Sequence, residues 1–263
     1  MSGLIAHAID FSEITEVAGR HVTREALSML YTRYEFAAML AEGRDVLEVA
    51  CGCGPGLGHL AKRARRVIGG DYTAPLLAQA NRHYKETIPL VRLDAHALPF
   101  RSASFEAVLL YEALYYLGEP RRFVEEAGRV LRRPGCLVVS TVNCEWADFI
   151  PSALSTRYFS GLELTSLLND HGFKTALYGT FPVTRNSAKD WIVSLLRRAA
   201  VQLHLIPSTM KRKEVLKRLF SGKLVMFPAE VASAMAPYCS PTPLEPGVPV
   251  RDFKVLFAVG WRN

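Results

Sequence analysis

Nowhere does the chain reach the ~18 uninterrupted apolar residues that a membrane-spanning helix requires, so no transmembrane span is expected. Met1 to Asp10 lacks a basic stretch followed by an apolar one, and no secretory leader is read there. The five cysteines are odd in number and follow no regular framework. That argues against a disulfide-stapled scaffold and for reduced thiols, with a cytoplasmic location as the expectation. Cys51 and Cys53 stand close together, but no His or Cys partner follows at ligand spacing, so no metal is expected. Internal repeats and low-complexity tracts are also missing. What is present is 263 residues, 49% of them hydrophobic, enough for one large domain with an elaboration.

The net charge of +7 is unevenly spread. Between Arg185 and Lys223 ten Lys or Arg residues face two acids, which leaves the rest of the chain close to neutral. Arg197 and Arg198 fall in one amphipathic helical stretch (187–206). Lys211, Arg212, Lys213, Lys217 and Arg218 fall in a second (208–220). The pattern fits a helical cover over a pocket with a solvated basic face. It also fits peripheral contact with an anionic membrane or a lipid-linked acceptor. Nucleic acid is disfavoured, because the basic residues lack the interleaved aromatics on which bases stack.

From Asp45 onward short apolar runs alternate with helical stretches, the pattern of an open sheet covered by helices. Strands are predicted at 45–50, 66–71, 89–94, 105–111, 136–142, 173–181 and 253–261. Helices are predicted at 23–42, 57–64, from Pro75, at 120–131 and at 161–171, the last behind a capping Ser160. A Pro-rich segment, 237–249, precedes the final strand.

Between the first strand and its helix lies Glu48-Val49-Ala50-Cys51-Gly52-Cys53-Gly54-Pro55-Gly56. Glycines there let backbone approach a ligand closely, and a helix N-terminus favours negative charge. The dinucleotide spacing G-x-G-x-x-G is absent, since Leu57 and His59 stand where the third glycine would be. An acid, Glu48, sits four residues before Gly52 instead. Asp71 ends the second strand and Asp94 follows the third. Arg129-Val130-Leu131-Arg132-Arg133-Pro134-Gly135 leads into the fifth strand, and Asn169-Asp170-His171-Gly172-Phe173 into the sixth.

This series resembles the class I S-adenosylmethionine (SAM)-dependent methyltransferases over roughly Asp45 to Thr180 and again in the final strand. The resemblance implies a Rossmann-like α/β sheet of seven strands, mostly parallel with one antiparallel strand. N-terminal helices precede it, and a helical insertion separates strands six and seven. Residues 1–263 are read as one domain: an N-terminal cap (1–44), a cofactor core (45–181), a basic insertion or lid (182–250) and the last strand (251–263). The resemblance implies SAM as cofactor. It places Glu48, Ala50, Gly52, Gly54, Asp71, Tyr72, Asp94 and Ala95 around it, with Asp71 on the ribose hydroxyls and Asp94 near the adenine amino group. Arg33 is either a partner for the methionine carboxylate or part of a solvated helix face. Ala50 departs from the usual glycine and would be strained if a glycine angle is needed there.

Methyl transfer from a sulfonium mainly requires alignment, and an oxygen or nitrogen acceptor must also lose a proton. Glu112, Tyr115 and Tyr116, after the fourth strand, are the catalytic candidates, although Glu112 can equally solvate a helix start. His96 is placed nearer the adenine, and His59 is read as structural. The resemblance implies methylation of a small molecule, with a sugar or natural-product intermediate as the expected kind. A lipid-linked acceptor and a non-catalytic SAM-binding partner are the alternatives.

Overall fold

A computed structural model describes residues 11–13, 15–152, 154–183, 224–245 and 247–262. The predicted apolar runs form the strands β2 (Asp45–Val49), β3 (Arg66–Asp71), β4 (Leu90–Arg92), β5 (Phe105–Tyr111), β6 (Leu131–Val142), β7 (Lys174–Pro182) and β10 (Phe253–Arg262). Between them run α2 (Leu57–Ala61), α3 (Ala74–Tyr84), α4 (Pro120–Val130) and α5 (Gly161–Asn169), with α1 (Arg24–Leu40) in front. Two short pieces, β1 (His21–Val22) and β8 (Val225–Met226), form a separate ribbon, and β9 (Thr242–Leu244) joins the main sheet.

The main sheet has the order β4-β3-β2-β5-β6-β10-β7-β9. Pairs from β4 to β6 are parallel, whereas β10 runs antiparallel to both β6 and β7. These are the seven expected strands, with the last one antiparallel. An eighth, β9, lies inside the stretch read as merely Pro-rich and pairs antiparallel with β7. It is an edge strand of three residues, the setting in which Pro243 costs little, since a missing N–H can face away from the ladder. The fifth strand also begins at Leu131 rather than Cys136. Leu131 pairs with Phe105 and Cys136 with Ala107, so the Arg133-Pro134-Gly135 turn bulges within the strand.

Every residue of β2 is buried, as expected of a central parallel strand covered on both faces. One face packs Leu30, Tyr34, Ala37 and Ala38 of α1 together with Leu57, Leu60 and Ala80 of α2 and α3. The other packs Phe123, Val124 and Ala127 of α4 with Leu164 and Leu168 of α5. Local chemistry sets the helix starts. The Ala26 backbone N–H donates to Thr23 Oγ1 at 3.0 Å. Ser160 and Glu163 form a reciprocal capping box at α5.

Residues 224–245 form a strap across the N-terminal side. β8 pairs with β1, Phe227 N–H donates to the Arg20 carbonyl, and Val231 N–H donates to the Pro55 carbonyl at 2.7 Å. The strap then follows α1, where Ser28 Oγ donates to the Pro237 carbonyl and Cys239 N–H to Thr32 Oγ1. The two predicted basic helices, with Arg197, Arg198, Lys211, Arg212, Lys213, Lys217 and Arg218, lie outside the described residues. Among the described residues no helix is long and apolar enough to cross a membrane.

Candidate functional site

Strand order reverses at β2, whose neighbours β3 and β5 lie on opposite sides, and in open α/β sheets the crevice at such a point is where ligands bind. Here the carboxyl ends of β2, β3, β4 and β5 converge on one cavity of about 600 Å³. That volume is within the range of small-molecule sites. The cavity is lined by Arg33, Glu48, Ala50, Gly52, Asp71, Tyr72, Asp94, Ala95, Glu112, Tyr115 and Tyr116. Sequence reading thus placed these eleven residues in one space, although they are scattered over more than 80 positions.

Gly54 is the exception. It does not line the cavity, and its positive φ of 72° turns it toward α3. A Cβ there would lie 2.8 Å from Leu57 Cδ1, and Tyr84 Oη donates to the Gly54 carbonyl at 2.6 Å. Gly54 is a packing glycine on the far side of the loop. Gly56 has a comparable task, because a Cβ there would overlap the Tyr34 ring at about 2 Å.

The loop reverses through left-handed residues at positions 50, 52 and 54. Ala50, at φ 59°, therefore carries the strain anticipated from its departure from glycine. Ala50→Gly is expected to stabilise the protein by ~0.5–1 kcal/mol in urea unfolding, the relief being partly offset by glycine's greater unfolded-state entropy. No change, or destabilisation, would show that the methyl group's packing outweighs the strain.

Three acids face the cavity in different states. Glu48 is fully buried and accepts a 2.6 Å hydrogen bond at Oε1 from Tyr34 Oη, while its Oε2 has no partner. Burial raises its carboxyl to about 8, the nearby Asp71 charge adds to the rise, and Tyr34 and Arg33 act against it. Asp71 is held by the backbone N–H groups of Gly52 (2.7 Å) and Thr73 (2.8 Å), one on each carboxylate oxygen. Burial still raises its carboxyl above the ordinary range. Asp94 is more open, with 51% of its side chain accessible. Burial pushes its carboxyl up, but the backbone and ring of His96 outweigh that, and the net shift is downward. His96 bonds Asp94 through Nδ1 (2.7 Å), and its Nε2 accepts from Glu119 N–H (3.3 Å). Both ring nitrogens are engaged in holding the loop.

Opposite these acids, Glu112 follows the last residue of β5 at φ 49°, a left-handed angle that is costly for a glutamate. Its Oε2 accepts from Tyr115 Oη at 3.2 Å, and its Oε1 has no hydrogen-bond partner and lies 3.9 Å from Arg33 Nε, also unpartnered. Burial raises the Glu112 carboxyl, and Arg33 and Tyr115 draw it back down. Tyr116 Oη donates to Ser152 Oγ at 3.1 Å. Tyr111 Oη is buried without a partner in the same cavity.

Four unpartnered buried polar atoms thus gather here: Arg33 Nε, Glu48 Oε2, Tyr111 Oη and Glu112 Oε1. Burying such groups without partners costs about 1–3 kcal/mol each, so their concentration marks a ligand site. Tyr111, which the sequence also offers as a candidate at the end of the fourth strand, faces the cavity, as do Tyr34, Thr15, Glu16 and Phe227, and sequence reading assigned Thr15, Glu16 and Phe227 no role there. Tyr34 stood only within a stretch read as a cap. Its bond to Glu48 links α1 to β2, and no local pattern signals it. Among the described residues no cluster of three or more His, Cys, Asp or Glu residues is arranged to hold a metal ion. Cys51 and Cys53 are free and buried, and His59 is buried against Glu35 at 2.9 Å.

Residues 47–139 match the family described as methyltransferase domain. Over those residues the chain is similar to methyltransferase domains, and the first of the relatives that follow is SAM-dependent by name. A probable S-adenosylmethionine-dependent methyltransferase of Mycobacterium tuberculosis is 36% identical over 153 residues, 56% of each chain. A phthiotriol/phenolphthiotriol dimycocerosates methyltransferase of the same species is 40% identical over 99 residues, 35% of this chain and 36% of that one. The chain therefore aligns with little more than half the length of the first of these relatives and about a third of the second. Among solved structures, the [4+2]-cyclase SpnF shares the fold of this chain (TM-score 0.60, 17% identity, 95% of this chain and 87% of that one). So does a Thermotoga maritima protein described as a possible histamine N-methyltransferase (TM-score 0.58, 15% identity, 91% and 94%).

The donor set of the cavity fits SAM, the cofactor that these relatives imply. An unpartnered buried carboxylate oxygen on Glu48 suits a cationic ligand, and Asp71 keeps lone pairs for paired hydroxyls.

Proposed function

We propose that the protein transfers a methyl group from SAM to an oxygen or nitrogen of a small-molecule acceptor. Glu112 carries this reading. It is a carboxylate on strained backbone, held on one oxygen by Tyr115 and open on the other, in the same cavity as Glu48, Asp71 and Asp94. Strain of this kind persists where the surrounding structure imposes it, and it clusters at reactive sites.

Glu48 and the Gly52 backbone would hold the methionine end, with Arg33 on its carboxylate. Asp71 would take the ribose hydroxyls, and Asp94, Ala95 and the exposed Tyr72 ring would border the adenine. When bound, SAM supplies a methyl group on a positively charged sulfur. Glu112 would accept the proton that the acceptor oxygen or nitrogen loses on being methylated. Tyr115 would orient Glu112, whose other oxygen is buried in the cavity.

Calorimetry with SAM, followed by an acceptor panel with methyl-labelled SAM, tests the reading. Binding in the micromolar range and label transfer are expected. Failure of pure, folded protein to bind SAM would sink it, and tight binding without transfer to any acceptor would favour a non-catalytic SAM-binding partner.

A further inference from the structure

Beside its acids, the cavity lining includes Phe11, Leu30, Tyr115, Tyr116, Leu117 and Phe227, and the rings of Phe11, Tyr116 and Tyr115 are in contact in that order. Three of the neighbouring phenols already have hydrogen-bond partners. Tyr115 Oη donates to Glu112, Tyr116 Oη donates to Ser152 Oγ, and Tyr158 Oη accepts from Ser152 N–H at 2.8 Å. The rings brace one another, Tyr115 stacked on Tyr158 with centroids 4.6 Å apart and Tyr116 against Phe11 at 5.4 Å. Thr15 Oγ1 donates to the Phe11 carbonyl. None of these wall residues has a buried side-chain polar atom without a hydrogen-bond partner, whereas Arg33 Nε and Glu112 Oε1, 3.9 Å apart, both do.

Resting on the methyl-transfer reading above, we propose that the acceptor is an uncharged apolar molecule presenting one hydroxyl to Glu112, and not a polyhydroxylated one. Each sugar hydroxyl taken into this region would lose water and meet mostly ring faces and alkyl groups, with only the residual capacity of three phenols to share, at a cost of about 1–3 kcal/mol per group left unpaired. An aromatic or aliphatic body gains from the same wall. A second carboxylate on the lining, Glu16, adds to Glu112 in disfavouring an anionic acceptor. The apolar character continues outside the cavity, where Ile150 and Leu154 flank Ser152 and stay 40% and 42% exposed.

The test uses the full chain with S-adenosylhomocysteine bound, titrated with 1-naphthol, 1-dodecanol and methyl α-D-glucopyranoside and followed by calorimetry. At least one apolar alcohol is expected to bind ten-fold or more tightly than the glycoside, and the stronger of the two identifies an aromatic or an aliphatic body. Tyr116→Ala is expected to weaken that probe by about ten-fold, with Tyr116→Phe close to wild type, since the ring and not its hydroxyl makes the contact. SAM affinity, measured separately on each variant, stays within about two-fold. Glycoside binding equal to or tighter than both alcohols, or no binding of either alcohol by protein that binds SAM, overturns the acceptor class and leaves methyl transfer standing. Loss of SAM binding by the wild type would instead remove the reading on which it rests.

Discussion

Glu112→Gln is expected to lower the rate of methyl transfer by about 10²–10⁴-fold, the usual contribution of a positioned general base, while SAM affinity changes less than about three-fold. The glutamine keeps the shape of the side chain and its bond from Tyr115 but cannot take a proton. Burial raises the Glu112 carboxyl, so the ionised base appears later on the pH scale than an ordinary carboxylate would. The wild-type rate should therefore rise with pH through a limb displaced above the normal glutamate range, and that limb should vanish in the variant. An unchanged rate would show that the acceptor loses its proton without Glu112, and an unchanged limb would assign the limb to another group.

Glu48→Gln carries the second large effect, with opposite signs for stability and binding. Its carboxyl moves from an ordinary 4.5 to about 8 in the ligand-free fold, chiefly because it is buried. A raised acid binds more protons folded than unfolded, so the protein loses stability as pH rises from about 4.5 to about 8. The full shift corresponds to roughly 3–5 kcal/mol. Thermal melts of the wild type should fall across this window. Those of the variant should not, leaving it the more stable protein above pH 8. A cationic ligand reverses the preference, because it favours the ionised carboxylate. SAM affinity of the wild type should increase with pH up to about 8 and then level, with proton release visible in buffers of different ionisation enthalpy. The variant should bind roughly 10–100-fold more weakly at pH 8, without that pH dependence. A wild-type affinity flat from pH 5 to 8 would refute the assignment of Glu48 to the cation.

Much of the sheet was legible because buried strands write themselves as apolar runs. β2 is buried at every position, and β5 at all but Glu106. The acids were legible for a related reason: each stands at or just past a strand end, where side chains reach the crevice. What escaped depends on contacts between distant segments. The Tyr34–Glu48 bond spans 14 residues and two elements. β1 and β8 are two residues each, too short for any periodicity. β9 carries a proline that reads as a strand breaker unless its edge position is known. Gly54 escaped for a conformational reason, since left-handed residues at 50, 52 and 54 fold the loop back and send that glycine toward α3. The left-handed angle of Glu112 had no sequence signature, because nothing about a glutamate announces it.

The strap that follows β8 limits how this protein can be recombined with its relatives. Val231 bonds the carbonyl of Pro55, the Glu230 carboxylate packs against Gly58, and Glu230 also bonds His83 at 3.0 Å. An exchange of the whole interval 182–250 would therefore leave a foreign strap against a native glycine loop. A glycine at position 58 that suits one glutamate would then face an unrelated side chain. A crossover placed between 223 and 224 keeps those partners together. Recombination libraries cut there should return more folded chimeras than libraries cut at the strand ends.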